Sequence, residues 1–255
     1  MFDIFIPPVD RAIARDVHDR IAALTKPVRS LGRIEELAEW LAAIHGGLPP
    51  SPYDRRAIVV GAGDHGVTAE GVSAYPSEVT PQMVGAFVGG FAAINAFARV
   101  ARAEVFVANF GVATELPPHP HLFDVAVARG TRNLAREAAM PPSDVHAALQ
   151  AGVDVFARVR ESFDPQILAL GDMGIGNTTS AAAMICAFTP AEPEDVVGRG
   201  TGIDDETLRR KLAVVEAAVA RVRGADWEAV ASEVGGYEIV GLAGVLLAAA
   251  RARVP

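Results

Sequence analysis

The sequence predicts an α/β protein with a parallel sheet that is covered by helices on both faces. Short apolar segments alternate with longer amphipathic ones along the chain, which is the pattern of such a fold. Residues 57–61 (AIVVG) are apolar throughout, as expected for a strand buried on both faces. Several of the short segments also run into glycine-containing loops. Because ligands bind at the carboxyl ends of the strands in open α/β sheets, we expect a binding site there.

The same pattern predicts the order of the elements. Helical spacing of apolar residues indicates two amphipathic helices at residues 9–24 and 30–45, with a break at Pro27 and a proline-rich connector at 48–53. Thr80 and Pro81 resemble the cap and first residue of a helix that follows a loop at residues 70–80. The other expected strands are residues 104–108, 123–128 and 166–170. The other expected helices are residues 143–159, 180–188, 204–222, 227–233 and 235–250.

Composition excludes several classes of protein. A net charge of −8 argues against a broad nucleic-acid interface, and 51% hydrophobic residues are usual for a soluble globular chain. The single cysteine, Cys186, excludes a disulfide scaffold and is compatible with the cytoplasm. The N-terminus has no signal-peptide pattern. Residues 239–250, taken as the most apolar stretch, are too short for a bilayer, which needs about 18 residues, so we expect no membrane partner.

Residues 171–180 (GDMGIGNTTS) form the most informative loop. An apolar segment enters the loop and an alanine-rich helical segment leaves it, so glycines and a helix N-terminus meet at one point. Backbone N–H groups and the positive end of the helix dipole favour an anion there, in particular a phosphate. Asp172 is an acid beside this predicted anion site, which suggests a role in proton transfer or in holding a donor. The alternative is a plain strand-to-helix turn.

A second loop at residues 198–206 (GRGTGIDDE) has the same character. Glycines and Thr201 precede a helix whose first turn is rich in acids. Lys211, about two turns into that helix, is a candidate counter-charge for the anion. Taken alone, the loop could be an ordinary capped helix start and Lys211 a solvated surface lysine. Two such loops in one chain favour a shared phosphate site.

The segment from Asp64 to Gln82 differs because its polar residues are spread among small ones. Asp64, His65, Ser73, Tyr75 and Gln82 would suit a planar organic ligand edged by hydrogen bonds. No second histidine stands at ligand spacing from His65, so we expect neither a metal nor a cofactor. The G-x-S-x-G pattern of a serine hydrolase does not occur in the sequence.

Six stretches resemble one enzyme family closely and follow its order over nearly all of the chain. They are TKPVRSLGRIEELA at 25–38, GDHGVTAEGVSAYPSEVTPQMV at 63–84, GTRN at 130–133, GDMGIGNTTSAAA at 171–183, VGRGTGIDDETLRRK at 197–211 and GGYEIVGLAG at 235–244. The chain resembles the nicotinate-nucleotide–dimethylbenzimidazole phosphoribosyltransferases, which assemble the nucleotide loop of cobalamin.

The resemblance implies transfer of the phosphoribosyl group from nicotinate mononucleotide to 5,6-dimethylbenzimidazole, without a metal. It also implies a homodimer and a Rossmann-like domain at residues 51–255, with residues 1–50 contributing to a small helical domain built from the chain termini. Matched by motif position, Ser73, Tyr75 and Gln82 line the benzimidazole pocket and Lys211 faces the anionic substrate. The residues matched to the 5′-phosphate site are Gly174, Gly176, Asn177, Thr178, Thr179, Ser180, Gly200, Thr201 and Gly202.

Two departures from the family pattern concern the catalytic carboxylate. Family members usually carry glutamate where this chain has Asp172. The family also continues beyond the position matched by Pro255, and its general-base glutamate lies in that C-terminal segment. Three alternatives would account for the missing glutamate. The chain is a fragment of a longer enzyme, another group such as Asp172 acts as the base, or the chain binds its ligands without turnover.

Overall fold

The computed structural model describes residues 4–48 and 53–255, which form four strands and ten α-helices. The strands are β1 (Arg56–Gly63), β2 (Ala103–Gly111), β3 (Leu122–Asp124) and β4 (Ile167–Met173). The helices are α1 (Arg11–Ala22), α2 (Arg33–His45), α3 (Val79–Gly89), α4 (Ala93–Ala101), α5 (Pro142–Phe163), α6 (Asn177–Phe188), α7 (Pro193–Val196), α8 (Asp205–Val222), α9 (Trp227–Val234) and α10 (Tyr237–Arg251). A 3₁₀ helix, Gly66–Glu70, follows β1.

The four strands form one parallel sheet in the order β3-β2-β1-β4. The chain therefore moves outward from β1 to one side with β2 and β3, and then returns to the other side of β1 with β4. The strand order reverses between β1 and β4, and in doubly wound sheets this switch point is where ligands bind. The register pairs Gly61 with Asp172, so the loops after these two strands start close together.

Helices cover both faces of the sheet, which confirms the predicted fold class. On one face, α5 and α10 pack on Val59, Phe106 and Phe110 in the largest apolar cluster. On the other face, α3 packs on Ala62 and Val107. A third apolar cluster joins α6, α8 and α9 beside the sheet. The core of this part of the chain is thus built in layers around β1 and β2.

Glycines allow α5 and α10 to approach each other closely. A Cβ atom on Gly152 of α5 would stand 1.9 Å from the carbonyl oxygen of Gly241, and one on Gly244 of α10 would stand 2.1 Å from the carbonyl oxygen of Leu149. Both distances are far below van der Waals contact. Only glycine fits at these positions with the two backbones where they are.

The N-terminal helices pack beside the end of α10. The backbone N–H of Asp10 donates to the Ala43 carbonyl at 3.0 Å and links α1 to α2. Arg253, just after α10, donates to the carbonyl oxygens of Ile44 at 2.9 Å and Pro8 at 3.3 Å. The predicted domain boundary between residues 50 and 51, and most of the connector at 48–53, lie outside the described residues.

Most elements begin or end one to four residues away from the sequence-based expectation; α5, for example, ends at Phe163 instead of residue 159. Helix α3 begins at Val79, so Thr80 lies inside the helix instead of capping it. Pro81 is tolerated there because the N–H groups of a first turn have no partner within the helix. Helix α6 begins at Asn177, three residues before the expected start. Strand β3 is shorter than residues 123–128, although Val125 and Val127 still donate to the carbonyl oxygens of Asn109 and Phe110.

One apolar segment is longer than the stretch at residues 239–250. By length and composition alone, Val79–Ala101 is the one segment of the described chain that could cross a membrane. In the structure it is two helices, α3 and α4, separated at Gly90, whose φ of 83° closes α3 in the left-handed region. A segment interrupted in this way is weak support for a membrane span.

Candidate active site

A cavity of about 400 Å³ opens at the carboxyl ends of β1 and β4, where the strand order reverses. Its lining combines the two glycine loops with the segment that follows the 3₁₀ helix. The lining residues are Val72, Ser73, Tyr75, Val79, Met83, Asp172, Met173, Gly174, Ile175, Gly176, Asn177, Thr178, Gly200, Thr201 and Lys211. Within this described lining, Asp172 and Lys211 are the only two charged residues. The volume is in the range of small-molecule sites.

The first glycine loop is held by its own backbone and by α3. Gly176 has a φ of 95°, a conformation that glycine adopts without strain, and it caps the start of α6. The Asn177 N–H donates to Gly174 at 3.1 Å, and the Thr179 N–H donates to Gly176 at 3.0 Å. The Ile175 N–H donates to the hydroxyl of Thr80 at 3.1 Å. These N–H groups fix the loop, so an anion in the cavity depends more on side chains than the sequence alone suggested.

Lys211 joins the two glycine loops. Its ammonium group donates to the hydroxyl of Thr178 at 2.8 Å and to the carbonyl of Gly198 at 3.1 Å. Gly200 makes this approach possible, because a Cβ atom there would stand 3.1 Å from the Thr178 hydroxyl and 3.3 Å from the Lys211 ammonium group. The two loops that the sequence suggested would share a ligand thus meet at one cation.

The charge of Lys211 has no acidic partner in the described part of the chain. The residue is only 2% exposed, and this burial lowers its pKa. A buried ammonium group that bonds only to neutral oxygens is stabilised when an anion enters beside it. The position of Lys211 in the cavity lining is therefore suited to a phosphate.

Asp172, the residue before the end of β4, is the other charged residue of the cavity lining. Its carboxylate accepts a hydrogen bond from the side-chain amide of Asn177. The carboxylate remains accessible from the cavity, but partial burial and the nearby negative charge of Glu238 raise its pKa, against the opposing effects of Asn177 and His65. A raised pKa makes Asp172 a better proton acceptor than an ordinary surface aspartate.

His65 and Glu238 form a hydrogen-bonded pair that lies outside the cavity lining. His65 Nε2 and Glu238 Oε1 are 2.6 Å apart, and neither side chain is exposed to solvent. The sequence suggested Asp64 and His65 as groups that edge a ligand, but both are buried and neither lines the cavity. Asp64 accepts a hydrogen bond from the Ala113 N–H at 2.9 Å instead.

The segment after the 3₁₀ helix is tied to the second glycine loop. The hydroxyl of Thr201 accepts from the Ala74 N–H at 3.0 Å and lies 3.1 Å from the Ser73 hydroxyl. Tyr75 is half exposed beside it. Apolar side chains form the adjacent wall: Val72, Val79, Met83, Met173 and Ile175. A flat apolar ligand next to the anion site would contact this wall.

The cavity brings most of the predicted site residues together. Ser73, Tyr75, Asp172, Gly174, Gly176, Asn177, Thr178, Gly200, Thr201 and Lys211 line it. Four others are not part of this lining in the described chain: Gln82, Thr179, Ser180 and Gly202. Gln82 is exposed on α3, Thr179 is buried, and the hydroxyl of Ser180 donates to the Val234 carbonyl.

Sequence reasoning missed two contributors to the site. The sequence pattern predicts Thr80 to be a helix cap, yet its hydroxyl accepts a hydrogen bond from the Ile175 N–H and so holds the loop. Glu238 was visible only as part of the GGYEIVGLAG stretch, and no periodicity indicates that it reaches His65 from a position 173 residues away in sequence. Among the described residues, no cluster of three or more His, Cys, Asp or Glu side chains could hold a metal ion.

Comparison with known proteins gives consistent similarities. A family model described as phosphoribosyltransferase matches residues 6–255. The nicotinate-nucleotide–dimethylbenzimidazole phosphoribosyltransferase of Thermus thermophilus is 51% identical over 92% of this chain and 70% of its own length. The enzyme of that name from Deinococcus radiodurans is 46% identical over 97% of this chain and 69% of its own. The crystal structure of CobT from Thermus thermophilus superimposes with a TM-score of 0.89 at 50% identity, covering 96% of this chain and 72% of that one.

Proposed function

We propose the following reaction from the premise that this chain belongs to the family of nicotinate-nucleotide–dimethylbenzimidazole phosphoribosyltransferases. The chain transfers the phosphoribosyl group of nicotinate mononucleotide to 5,6-dimethylbenzimidazole, giving α-ribazole 5′-phosphate and nicotinate in cobalamin biosynthesis. The observation that carries this function is the meeting of both glycine loops at Lys211, in a cavity with an adjacent apolar wall.

The anion site holds the 5′-phosphate in this proposal. Lys211 supplies the positive charge, and Thr178 and Thr201 supply hydroxyl groups from the first and the second glycine loop. The proposed phosphate-site residues that line the cavity are Gly174, Gly176, Asn177, Thr178, Gly200, Thr201 and Lys211, whereas Thr179, Ser180 and Gly202 of the matched set lie outside this lining. A phosphate fixed at one end of the ribose also fixes C1′ relative to the apolar wall, which is an orientation effect on the reaction.

The benzimidazole lies against the apolar wall, with Ser73 and Tyr75 at its edges. Gln82, which the resemblance matches to the same pocket, lies outside the cavity lining. One ring nitrogen attacks C1′ from the face opposite nicotinate, and the bond from C1′ to the pyridine nitrogen breaks. The electron pair of that bond leaves with nicotinate. The other ring nitrogen loses its proton to a carboxylate, and Asp172 is the carboxylate of the described cavity lining.

A product assay tests this function. The pure chain is incubated with nicotinate mononucleotide and dimethylbenzimidazole, and nicotinate and α-ribazole phosphate are measured by chromatography. We expect equal amounts of both products, formed only when both substrates are present. Binding of the mononucleotide without release of nicotinate would support the alternative, a binding protein of this family without turnover.

We further propose a cytoplasmic homodimer with a small helical domain that includes α1 and α2. Large apolar side chains are exposed on α4 and at the turn before it, namely Phe91, Phe97 and Val100, and a second copy would bury such a surface. The contacts of Arg253 with residues 8 and 44 support a unit built from both ends of the chain. Sedimentation tests the dimer: we expect twice the monomer mass of 26.7 kDa, and the monomer for a Phe97→Ser, Val100→Ser variant.

A further inference from the structure

The His65–Glu238 pair carries an inference beyond the residues that line the cavity. Both side chains are fully buried, with a 2.6 Å separation between Nε2 and Oε1. His65 Nδ1 and Glu238 Oε2 are also buried and have no hydrogen-bond partner among the described residues. Burying charged groups costs several kcal/mol unless each group is well paired. Apolar residues would fill this space at lower cost, so the pair requires another explanation.

The position of the pair supplies that explanation. A Cβ atom on Gly174 would lie 3.3 Å from the His65 ring, and one on Gly176 would lie 3.1 Å from the Cβ of His65. The imidazole therefore packs directly against the glycines of the first loop. Glu238 packs against the end of β1, where a Cβ on Gly63 would stand 2.6 Å from its Oε2. The pair thus joins the loop, β1 and the first turn of α10.

The charges around His65 favour its protonated form. Burial is the largest single influence on the pKa of His65 and lowers it. The charge and hydrogen bond of Glu238 raise this pKa, and so do the charges of Asp64 and Asp172. Together they outweigh burial, so the pKa of His65 is raised. These three carboxylates are the acidic groups that act on the imidazole. Asp172 lies on β4 opposite Gly61 of β1, two residues before the Gly63 against which Glu238 packs, and the charge of Glu238 raises the pKa of Asp172, second only to burial.

We propose that His65 and Glu238 form a buried imidazolium–carboxylate pair that positions the first glycine loop and places a negative charge beside Asp172. Neither residue lines the cavity, so both act through the residues that do. The catalytic meaning of the charge rests on the proposed role of Asp172 as the proton acceptor, whereas the ion pair itself does not depend on it.

NMR titration of the wild-type chain provides the first test. We expect the ¹⁵N shifts of His65 to remain those of an imidazolium to a higher pH than in a free histidine, whose pKa is near 6.5. The amide resonances of Gly174 and Gly176 should follow the same titration midpoint as the His65 ring. A His65 midpoint at or below that of a free histidine, or loop amides that do not follow the His65 titration, would overturn the proposal.

Glu238→Gln provides the second test because it removes the charge and retains the size of the side chain. We expect His65 to become neutral, and the titration midpoint of the Asp172 carboxyl carbon to move to lower pH. The midpoint falls because the variant removes the larger, raising effect of Glu238 together with the smaller, lowering effect of protonated His65. Glu228→Gln is the matched control, since Glu228 pairs with His146 at 3.1 Å on the surface. An Asp172 midpoint that is unchanged or raised in folded Glu238→Gln would contradict the proposal.

Asp172→Asn covers the case in which Glu238→Gln does not fold. Asp172 is accessible from the cavity, and its charge raises the pKa of His65. We expect the His65 midpoint to fall in this variant, and an unchanged midpoint would count against the proposed coupling. All of these measurements are independent of turnover. Failure of the chain to release nicotinate would therefore contradict the proposed reaction but would leave the proposed ion pair of His65 and Glu238 untouched.

Discussion

The ammonium group of Lys211 donates a hydrogen bond to the hydroxyl of Thr178 at 2.8 Å, which joins α8 to the first turn of α6. Its other contact is the carbonyl of Gly198. Both partners are neutral, and no carboxylate of the described residues pairs with this buried cation. The two loops are therefore organised around a positive charge that an anionic substrate can neutralise.

Lys211→Met should weaken binding of nicotinate mononucleotide without unfolding the chain. Charge-assisted hydrogen bonds contribute about 1.5–3 kcal/mol, which corresponds to roughly a 10-fold to 160-fold rise in Kd. Isothermal titration calorimetry measures the change. Arg209→Met is the matched control, because Arg209 is exposed on the same helix and should leave Kd unchanged.

The affinity of the wild-type chain for the mononucleotide should also fall as the pH is raised into the alkaline range, because Lys211 then loses its charge. Because burial lowers the pKa of Lys211, we expect affinity to fall at a lower pH than the titration of a free lysine would give. Lys211→Met should lack this dependence. Equal alkaline profiles for the two proteins would exclude Lys211 as the phosphate ligand.

Gly174→Ala should damage the first loop. A Cβ atom at this position would stand 2.1 Å from the carbonyl oxygen of Gly63, so the loop and β1 must separate. We expect a loss of about 1–3 kcal/mol in the free energy of unfolding, as for other overpacked sites, and a higher Kd for the mononucleotide. Gly198→Ala in the second loop meets no atom within 4 Å and is the control for both measurements. Equal behaviour of the two variants would show that the loop tolerates displacement.

Asp172→Asn should slow nicotinate release if Asp172 accepts the benzimidazole proton. Loss of a positioned general base typically reduces kcat by about 10²-fold to 10⁴-fold. The carboxylate accepts a proton only in its deprotonated form, so kcat/KM falls when the pH is lowered through the pKa of Asp172. Because that pKa is raised, the decline on acidification should begin at a higher pH than for an ordinary aspartate, whose pKa is near 3.9. A variant that keeps the wild-type rate would mean that another group takes the proton.

Gly152→Ala and Gly85→Ala should change stability in opposite directions. The first would drive a methyl group into the Gly241 carbonyl at 1.9 Å, which should lower the free energy of unfolding by about 1–3 kcal/mol. Gly85 lies in α3, and a Cβ atom added to it would meet no other atom within 4 Å. Alanine there should raise stability by about 0.4–1 kcal/mol through the unfolded state. Urea titrations of both variants measure the difference, and shifts of the same sign would contradict the close helix packing.

The fold was predictable because β1 and the glycine loops are local signals. An apolar, β-branched segment that ends in glycine identifies a strand of a parallel sheet, whatever lies elsewhere in the chain. The two glycine loops that line the cavity were predictable for the same reason, whereas their binding of a phosphate stays a prediction. The predicted start of α3 was wrong because Thr80 and Pro81 have the local pattern of a cap and first helical residue. In the structure, the Thr80 hydroxyl accepts a hydrogen bond from the Ile175 N–H instead.

The rest of the site depends on contacts between residues that are distant in sequence. In the sequence, Glu238 is only a polar residue at the start of an apolar segment. The folded chain shows that its side chain is directed into the core toward His65. The same is true of Lys211, whose spacing from the second loop is compatible with either a solvated or a buried side chain. Pairing of this kind is decided by tertiary packing and leaves no periodic trace.

A crystal structure of this chain with nicotinate mononucleotide would test the phosphate site most directly. We predict that the 5′-phosphate lies between the two glycine loops, with Lys211 Nζ within hydrogen-bonding distance of a phosphate oxygen and the ribose C1′ facing the wall formed by Met83 and Ile175. A mononucleotide bound in the same cavity with its phosphate away from Lys211, or bound elsewhere on the chain, would contradict this assignment.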